Sequence, residues 1–425
     1  MALSSGPRRT AVAAAFLLGC TASAGVARAD DDVEELHLAD AQAAALRTRP
    51  ELAAAAAEQR ALEAAEQQAS LRPNPELSLE VEDVAGSGDF RGASESQTTL
   101  LWHQPVELGG DRRARRAVAA QQRELAGFDA QALRLDVLAQ TAVAFVAVLV
   151  AQEELHHASE LVELAERERQ TAAERVHAGA ALAVEVTRAQ VALDEARIHE
   201  QRGRQALEAA RLGLAAAWGA SEASFQRAVG DLHDVSPPPP LADFVARLGE
   251  NPDLARFAAE RAQRDAQLAV VRARRTPDPR VAAGIRHLAG PNDASLVFEV
   301  AVPLPLFDRQ QGALAEAAQR IARVSDDRAA AERAARAALV SEYTRWSASY
   351  QEVVAVRDRL IPGARSALAE LRAAHRDGRV SQLDVLAASR TEFDAVDRML
   401  HQLGEYHEAR IAAERLVGAS VDELR

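Results

Sequence analysis

The sequence predicts a mainly α-helical protein with a small β part, built from long antiparallel coiled-coil hairpins. Three observations carry that prediction. Of 425 residues, 97 are alanine and none is lysine, only 4% are aromatic, and Gly (22) and Pro (16) are sparse. Such an excess of Ala, Leu, Glu, Gln and Arg favours long helices, and so few rings leave a thick globular core hard to fill. The second observation is a repeat: the same order of Pro and Gly signals recurs at offsets of 198 to 204 residues. Third, four segments of about ten residues alternate apolar and polar side chains, 280–288 only weakly, as a half-buried strand does.

The elements follow in order. Residues 1–29 read as a signal peptide: Arg8-Arg9, an apolar run from Ala11 to Leu18, and Ala27-Arg28-Ala29 before Asp30. A second reading takes Leu17-Leu18-Gly19-Cys20 as a lipidation site on Cys20, the only cysteine. Residues 30–236 form a first repeat and 241–425 a second, separated by the stiff spacer Pro237 to Pro240. Each repeat reads helix, strand pair, very long helix, shorter helix. The first helices span 36–71 and 241–275, each stopped by a Pro-x-Pro.

After Gly109-Gly110 the chain runs as one helix to Gly179. After Phe307-Asp308 it runs to Gly378, with Pro362 as a kink point. Helices of about 70 residues are roughly 105 Å long. Leu135, Leu138, Ala142, Phe145 and Leu149 step by threes and fours, as do Leu339, Tyr343, Trp346, Tyr350 and Val353, which marks a coiled-coil seam. The last helices, 180–218 and 379–417, together with the first add up to the length of the long one. Stacked end to end, the short helices would flank the long one as a rod.

The strands lie near 76–84, 97–108, 280–288 and 294–303. Leu77, Leu79 and Val81 alternate with Ser78, Glu80 and Glu82, and Leu296, Phe298, Val300 and Val302 share a face. In an exported chain, such strands with no apolar mass to cover fit a transmembrane barrel, with Trp102 in its aromatic girdle. No later stretch is expected to cross a membrane as a helix. Four strands cannot close, and lipid does not tolerate an open edge, so the chain must oligomerise; three copies, a homotrimer, would give 12 strands and a lumen wide enough for a channel. Arg112-Arg113-Ala114-Arg115-Arg116 directly follows a strand and belongs at the inner headgroup surface.

The chain resembles the TolC-type outer-membrane factors, exit ducts of tripartite efflux pumps. The resemblance rests on Gln104-Pro105-Val106-Glu107-Leu108-Gly109-Gly110-Asp111-Arg112, on Val302-Pro303-Leu304-Pro305-Leu306-Phe307-Asp308, and on Gly378-Arg379-Val380-Ser381-Gln382-Leu383-Asp384-Val385-Leu386. It covers about 36–418, and the Pro-Leu-Pro-Leu-Phe-Asp wording is closest to the cobalt-zinc-cadmium or copper-silver branch. It implies a 12-stranded barrel on a helical tunnel. It also implies partners: an inner-membrane RND-type pump, outer-membrane lipid, and a periplasmic adaptor docking at tips formed by Gly179, Gly378, Val380 and Ser381. Glu185 and Asp384 would form the acidic constriction of the closed aperture; a second acid that some relatives carry is here Ala387.

Other chemistries lack their residues. No nucleotide loop, zinc-protease helix or nucleophile elbow appears, so no enzyme and no cofactor is expected. The formal charge of −13 becomes −16 once Arg8, Arg9 and Arg28 are removed, which disfavours nucleic acid. His156-His157 is the only adjacent histidine pair, and neighbours on a helix do not face one another. The competing functions are a drug or type I secretion duct of the same family, and a periplasmic coiled-coil scaffold without a pore.

Overall fold

The computed structural model describes residues 33–420, so the signal peptide and Cys20 lie outside the described residues. The elements are β1 (Val33–His37), α1 (Leu38–Thr48), α2 (Pro50–Ala69), β2 (Glu76–Glu82), β3 (Gln97–Pro105), α3 (Asp111–His177) and α4 (Ala183–Ala216). After them come β4 (Phe225–Val229), α5 (Leu241–Arg247), α6 (Pro252–Ala273), β5 (Arg280–Leu288), β6 (Asp293–Ala301), α7 (Gln311–Ala355), α8 (Ile361–Arg376) and α9 (Gln382–Val417). The expected class, mainly α with a small β part, is observed.

Helix α3 has 67 residues and is about 100 Å long. Its neighbours are stacked end to end along it. Near the sheet, Glu66 of α2 meets Arg116 and Arg123 of α3. Further along, Gln42 of α1 donates to the carbonyl of Leu138, and Gly203 of α4 lies against Leu155. The second half is built in the same way. Arg261 of α6 reaches Ser325 of α7, while α9 is tied by Arg345–Glu405 to α7 and by Arg365–Glu392 to α8. Cross-links Arg256–Asp129, Arg415–Asp136 and Arg372–Glu168 join the two rods.

Three departures from the sequence reading, and the passage of one helix through a proline, have physical causes. The first helices are broken rather than continuous. A residue before proline is pushed out of the α region, and Arg49 (ψ 119°) and Asn251 (ψ 134°) are both extended. A parallel ribbon of β1 with β4 was not foreseen; its strands are five residues each, too short for a period to show. At Pro362, the expected kink point, the second long helix continues. Its preceding turn, Val356–Leu360, widens to a π-helix, which lets the backbone pass the ring and missing N–H. Finally, α3 does contain a stretch long and apolar enough to cross a membrane. Its Phe145, Val146, Val148 and Leu149 lie in a buried cluster with Phe225 and Ala228 of β4, so the run fills a core.

That core sits midway along the rods. A second cluster adjoins it, where Phe244, Trp346 and Tyr406 meet edge to face. The spacer after β4 is strapped down here. The Tyr406 hydroxyl accepts from Ser236 N–H and donates to its carbonyl, and Tyr343 donates to the carbonyl of Pro239. Of the expected seam, Phe145, Leu149, Leu339, Trp346 and Val353 are buried, Ala142 as well.

The other four strands form one antiparallel sheet in the order β2-β3-β5-β6. Pairing of β3 with β5 places Gly284 opposite Leu101. A side chain at Gly284 would collide with the Leu100 carbonyl. Among the described residues, β2 and β6 are each paired on one side only.

Candidate functional site

Residues paired across an antiparallel sheet share a face. Register therefore gathers Leu77, Trp102, Ala283 and Phe298 into one row and Leu79, Leu100, Ile285 and Leu296 into the next. Val300 and Val281 extend this face below, Val81 above. Its large side chains, Ala283 and Val281 aside, are 45% to 76% exposed. From Gln104 to Thr98 on β3 the face is about 20 Å tall at 3.4 Å per residue. No other part of the described chain covers it.

The opposite face is polar and internally bonded. Arg286 donates to Thr99 Oγ1 at 3.0 Å and to Gln97 at 3.4 Å, and lies 3.9 Å from Glu82. Ser78 and His103 are 2.9 Å apart. Sequence reading saw the polar alternation in β2 but missed Arg286, because β5 alternates only weakly.

At the far end of the rods lie the two hairpin turns. Gly179 (φ +69°) and Gly378 (φ +71°) adopt the left-handed conformation that closes a helix. Their helices end with matching bonds, Gly179 N–H to Val176 and Ala180 N–H to Arg175 in one, Gly378 N–H to His375 and Arg379 N–H to Ala374 in the other. Val380 is half-buried, and its carbonyl lies 3.0 Å from His375 Nδ1. The turns are joined, since Arg175 donates to the carbonyl of His375 at 3.3 Å.

Asp384 is the third residue of α9 and completes a capping box. Its carboxylate accepts from the Ser381 hydroxyl (2.7 Å) and N–H (3.0 Å). The Ser381 side-chain hydrogen bond, then its backbone N–H, holds this carboxyl below the usual Asp range. The spacing Ser381-x-x-Asp384 carried that signal in the sequence. Glu185 has the equivalent place on α4, but Leu182 stands where Ser381 does, so no side chain caps that helix. One Glu185 oxygen is buried with no hydrogen-bond partner. Within one chain, α4 and α9 face a groove lined by Arg188, Val191, Leu383 and Ala387, and neither acid lines it.

Among the described residues, no three His, Cys, Asp or Glu side chains are grouped to hold a metal ion. His157 is instead stacked on Phe393, with ring centroids 4.7 Å apart. Burial pushes its pKa down, against the backbone hydrogen bond with Phe393 and the nearby Glu160, Asp397 and Glu392.

A sheet with one bare apolar face, carried on rods about 100 Å long, is the build of a membrane-anchored protein. The chain belongs to the Outer membrane efflux protein family, which it matches over residues 42–220 and 246–419. It is 34% identical to the cobalt-zinc-cadmium resistance protein CzcC of Cupriavidus metallidurans over 86% of each chain. The nickel-cobalt-cadmium resistance protein NccC of Alcaligenes xylosoxydans is 29% identical, over 64% of this chain and 62% of that one. The fold is shared with CusC (TM-score 0.76, 17% identity, 90% of this chain and 92% of that one) and with VceC from Vibrio cholerae (TM-score 0.72, 17% identity, 90% and 96%). The protein is thus an outer-membrane efflux channel, of a family of transport ducts rather than of enzymes.

Proposed function

We propose that this chain forms, as a homotrimer, the passive exit duct of a tripartite pump that expels heavy-metal cations. The observation that carries the assembly is the sheet, apolar on one face, polar on the other, and open at both β2 and β6. Edge-to-edge pairing of three sheets gives 12 strands, satisfies every backbone group in lipid, and turns Arg286, Thr99 and His103 toward a wet lumen. Helix α2, which buries no residue fully, and the exposed first half of α7 then gain neighbours from adjacent subunits. The repeats 30–236 and 241–425 are a duplicated unit, which explains why each supplies one strand pair and one rod.

The metal cargo is supported by the metal-resistance relatives. The tips at Gly179, Gly378, Val380 and Ser381 receive the periplasmic adaptor, and the adaptor links the duct to an inner-membrane RND-type pump. Glu185 and Asp384, repeated threefold, put a negative ring at the aperture that favours cations. Two measurements test this. Deleting the gene is expected to sensitise cells to Co²⁺, Zn²⁺ and Cd²⁺ and to leave drug tolerance unchanged; the reverse pattern sinks the cargo assignment. In planar bilayers, Asp384→Asn is expected to raise conductance and lower cation preference. A change in neither removes Asp384 from the aperture.

A further inference from the structure

The foot of the sheet carries a feature that a duct does not require. A cleft of about 830 Å³ opens there, between the end of α2, the end of β3 and the first turns of α3. Arg72, Arg112, Arg113 and Arg116 line it, with Trp102 and Gln104. Among the described residues, Arg72, Arg112 and Arg113 have no carboxylate within ion-pair distance, and Arg116 shares Glu66 with Arg123. The one acid in the lining, Glu107, is drawn 2.7 Å from Arg115. In a chain of net charge −13 this is a local reversal of sign.

The cleft also has a direction. Trp102 and Gln104 are alternate residues of β3, so they share the face that bears the apolar rows, and both line the cleft. Trp102 is at once its rim and a member of the row with Leu77 and Phe298. The opening therefore lies one step below the apolar band, where the inner headgroup layer would be. A ligand seated here meets guanidinium groups at one end and bare Leu, Trp and Phe surface at the other. A free anion would use only the first of these; an amphipath uses both.

We propose that this cleft is a binding site for an anionic phospholipid of the inner leaflet. Its phosphodiester is held by Arg72, Arg112 and Arg113, and its acyl chains run up the face past Trp102 and Leu77. Guanidinium forks match phosphate oxygens two at a time, which a diffuse positive surface does not. A volume within the ordinary range for small-ligand sites accommodates a glycerophosphate head. The proposal rests on the lipid-facing reading of the sheet, since only that reading brings headgroups to this level.

The test uses the full trimer reconstituted into nanodiscs of phosphatidylethanolamine containing phosphatidylglycerol, followed by native mass spectrometry of retained lipid. Wild-type protein is expected to retain phosphatidylglycerol in preference to phosphatidylethanolamine. The variant Arg72→Gln/Arg112→Gln/Arg113→Gln should bind it more weakly on the order of 100-fold, at roughly fivefold per arginine. Arg112→Lys/Arg113→Lys keeps the charge and loses the forks, so it should bind measurably more weakly than wild type. Retention unchanged in the Gln variant overturns the site, and unchanged retention in the Lys variant reduces it to a charged surface. Displacement of the lipid by millimolar inorganic phosphate alone would make it a free-anion site and also overturn the proposal. Failure of wild-type trimers to insert at all would be a different result, one against the barrel, and SDS-resistant trimer on a gel separates the two.

Discussion

Ser381 and Asp384 show how one short motif can serve both a turn and a charge. Gly378 reverses the chain, Ser381 caps α9, and the acid closes the box. Replacing Ser381 by Ala is expected to cost about 1 kcal/mol of local stability and to speed hydrogen exchange over 381–386, with no such effect at the uncapped start of α4. Because the Asp384 pKa is depressed, its contribution is complete above the ordinary Asp range and is lost as pH falls through the lowered value. Asp384→Asn should therefore mimic acid at the tip. His157 has the opposite chemistry and the same sign. Burial lowers its pKa, so the His157–Phe393 contact is fully stable above about pH 6.5 and weakens as pH falls below it. His157→Phe is expected to remove that acid sensitivity, read as the pH dependence of exchange in α3 and α9; an unaltered pH profile would count against it.

At the scale of elements, packing midway along the rods outweighs helix propensity. The apolar run in α3 is a core segment because β1 and β4 cover it, and the spacer is fixed because two tyrosine hydroxyls hold its backbone. Tyr406→Phe removes both hydrogen bonds with the Ser236 backbone and should cost about 1–3 kcal/mol. Trp346→Ala, at a fully buried site between three rings, should cost about 3–5 kcal/mol. Thermal unfolding in detergent distinguishes both from wild type. Where proline interrupts a helix, its effect differs with context. Pro50 and Pro252 begin new helices after an extended residue, whereas Pro362 is absorbed by a π turn within a continuing one.

For the whole molecule, the proposed trimer supplies an interior that one chain does not contain. The polar sheet face is already networked through Arg286, while in the proposed assembly the apolar face meets lipid and both edges meet neighbouring subunits. Gly284→Val would push a side chain into the Leu100 carbonyl and separate β3 from β5. It is expected to abolish SDS-resistant trimers while leaving helix content by circular dichroism nearly unchanged. Trimers of normal heat stability would show that the β3–β5 pairing tolerates the intrusion.

Much of this was legible in the linear chain because its signals are local. Gly179 and Gly378 mark turns, Pro73 and Pro277 end helices, and the alternation of Leu77 to Glu82 gives a strand with two faces. The alanine count predicts slender rods, and α3 at 67 residues matches the span between its breakers. What the sequence could not show depends on partners distant along the chain. Pairing of β1 with β4 joins residues almost 200 apart, and nothing in either five-residue strand announces the other. The order β2-β3-β5-β6 and the Arg286 network arise only when the two hairpins meet, and the arginine cleft beneath Trp102 only when the ends of α2 and β3 meet the first turns of α3. The sequence by itself determined the long helices, the four strands of the larger sheet and the sidedness of those strands, since these follow from period and from backbone-restricting residues. Tertiary structure alone decided which faces are covered, because burial is a relation between surfaces and not a property of either.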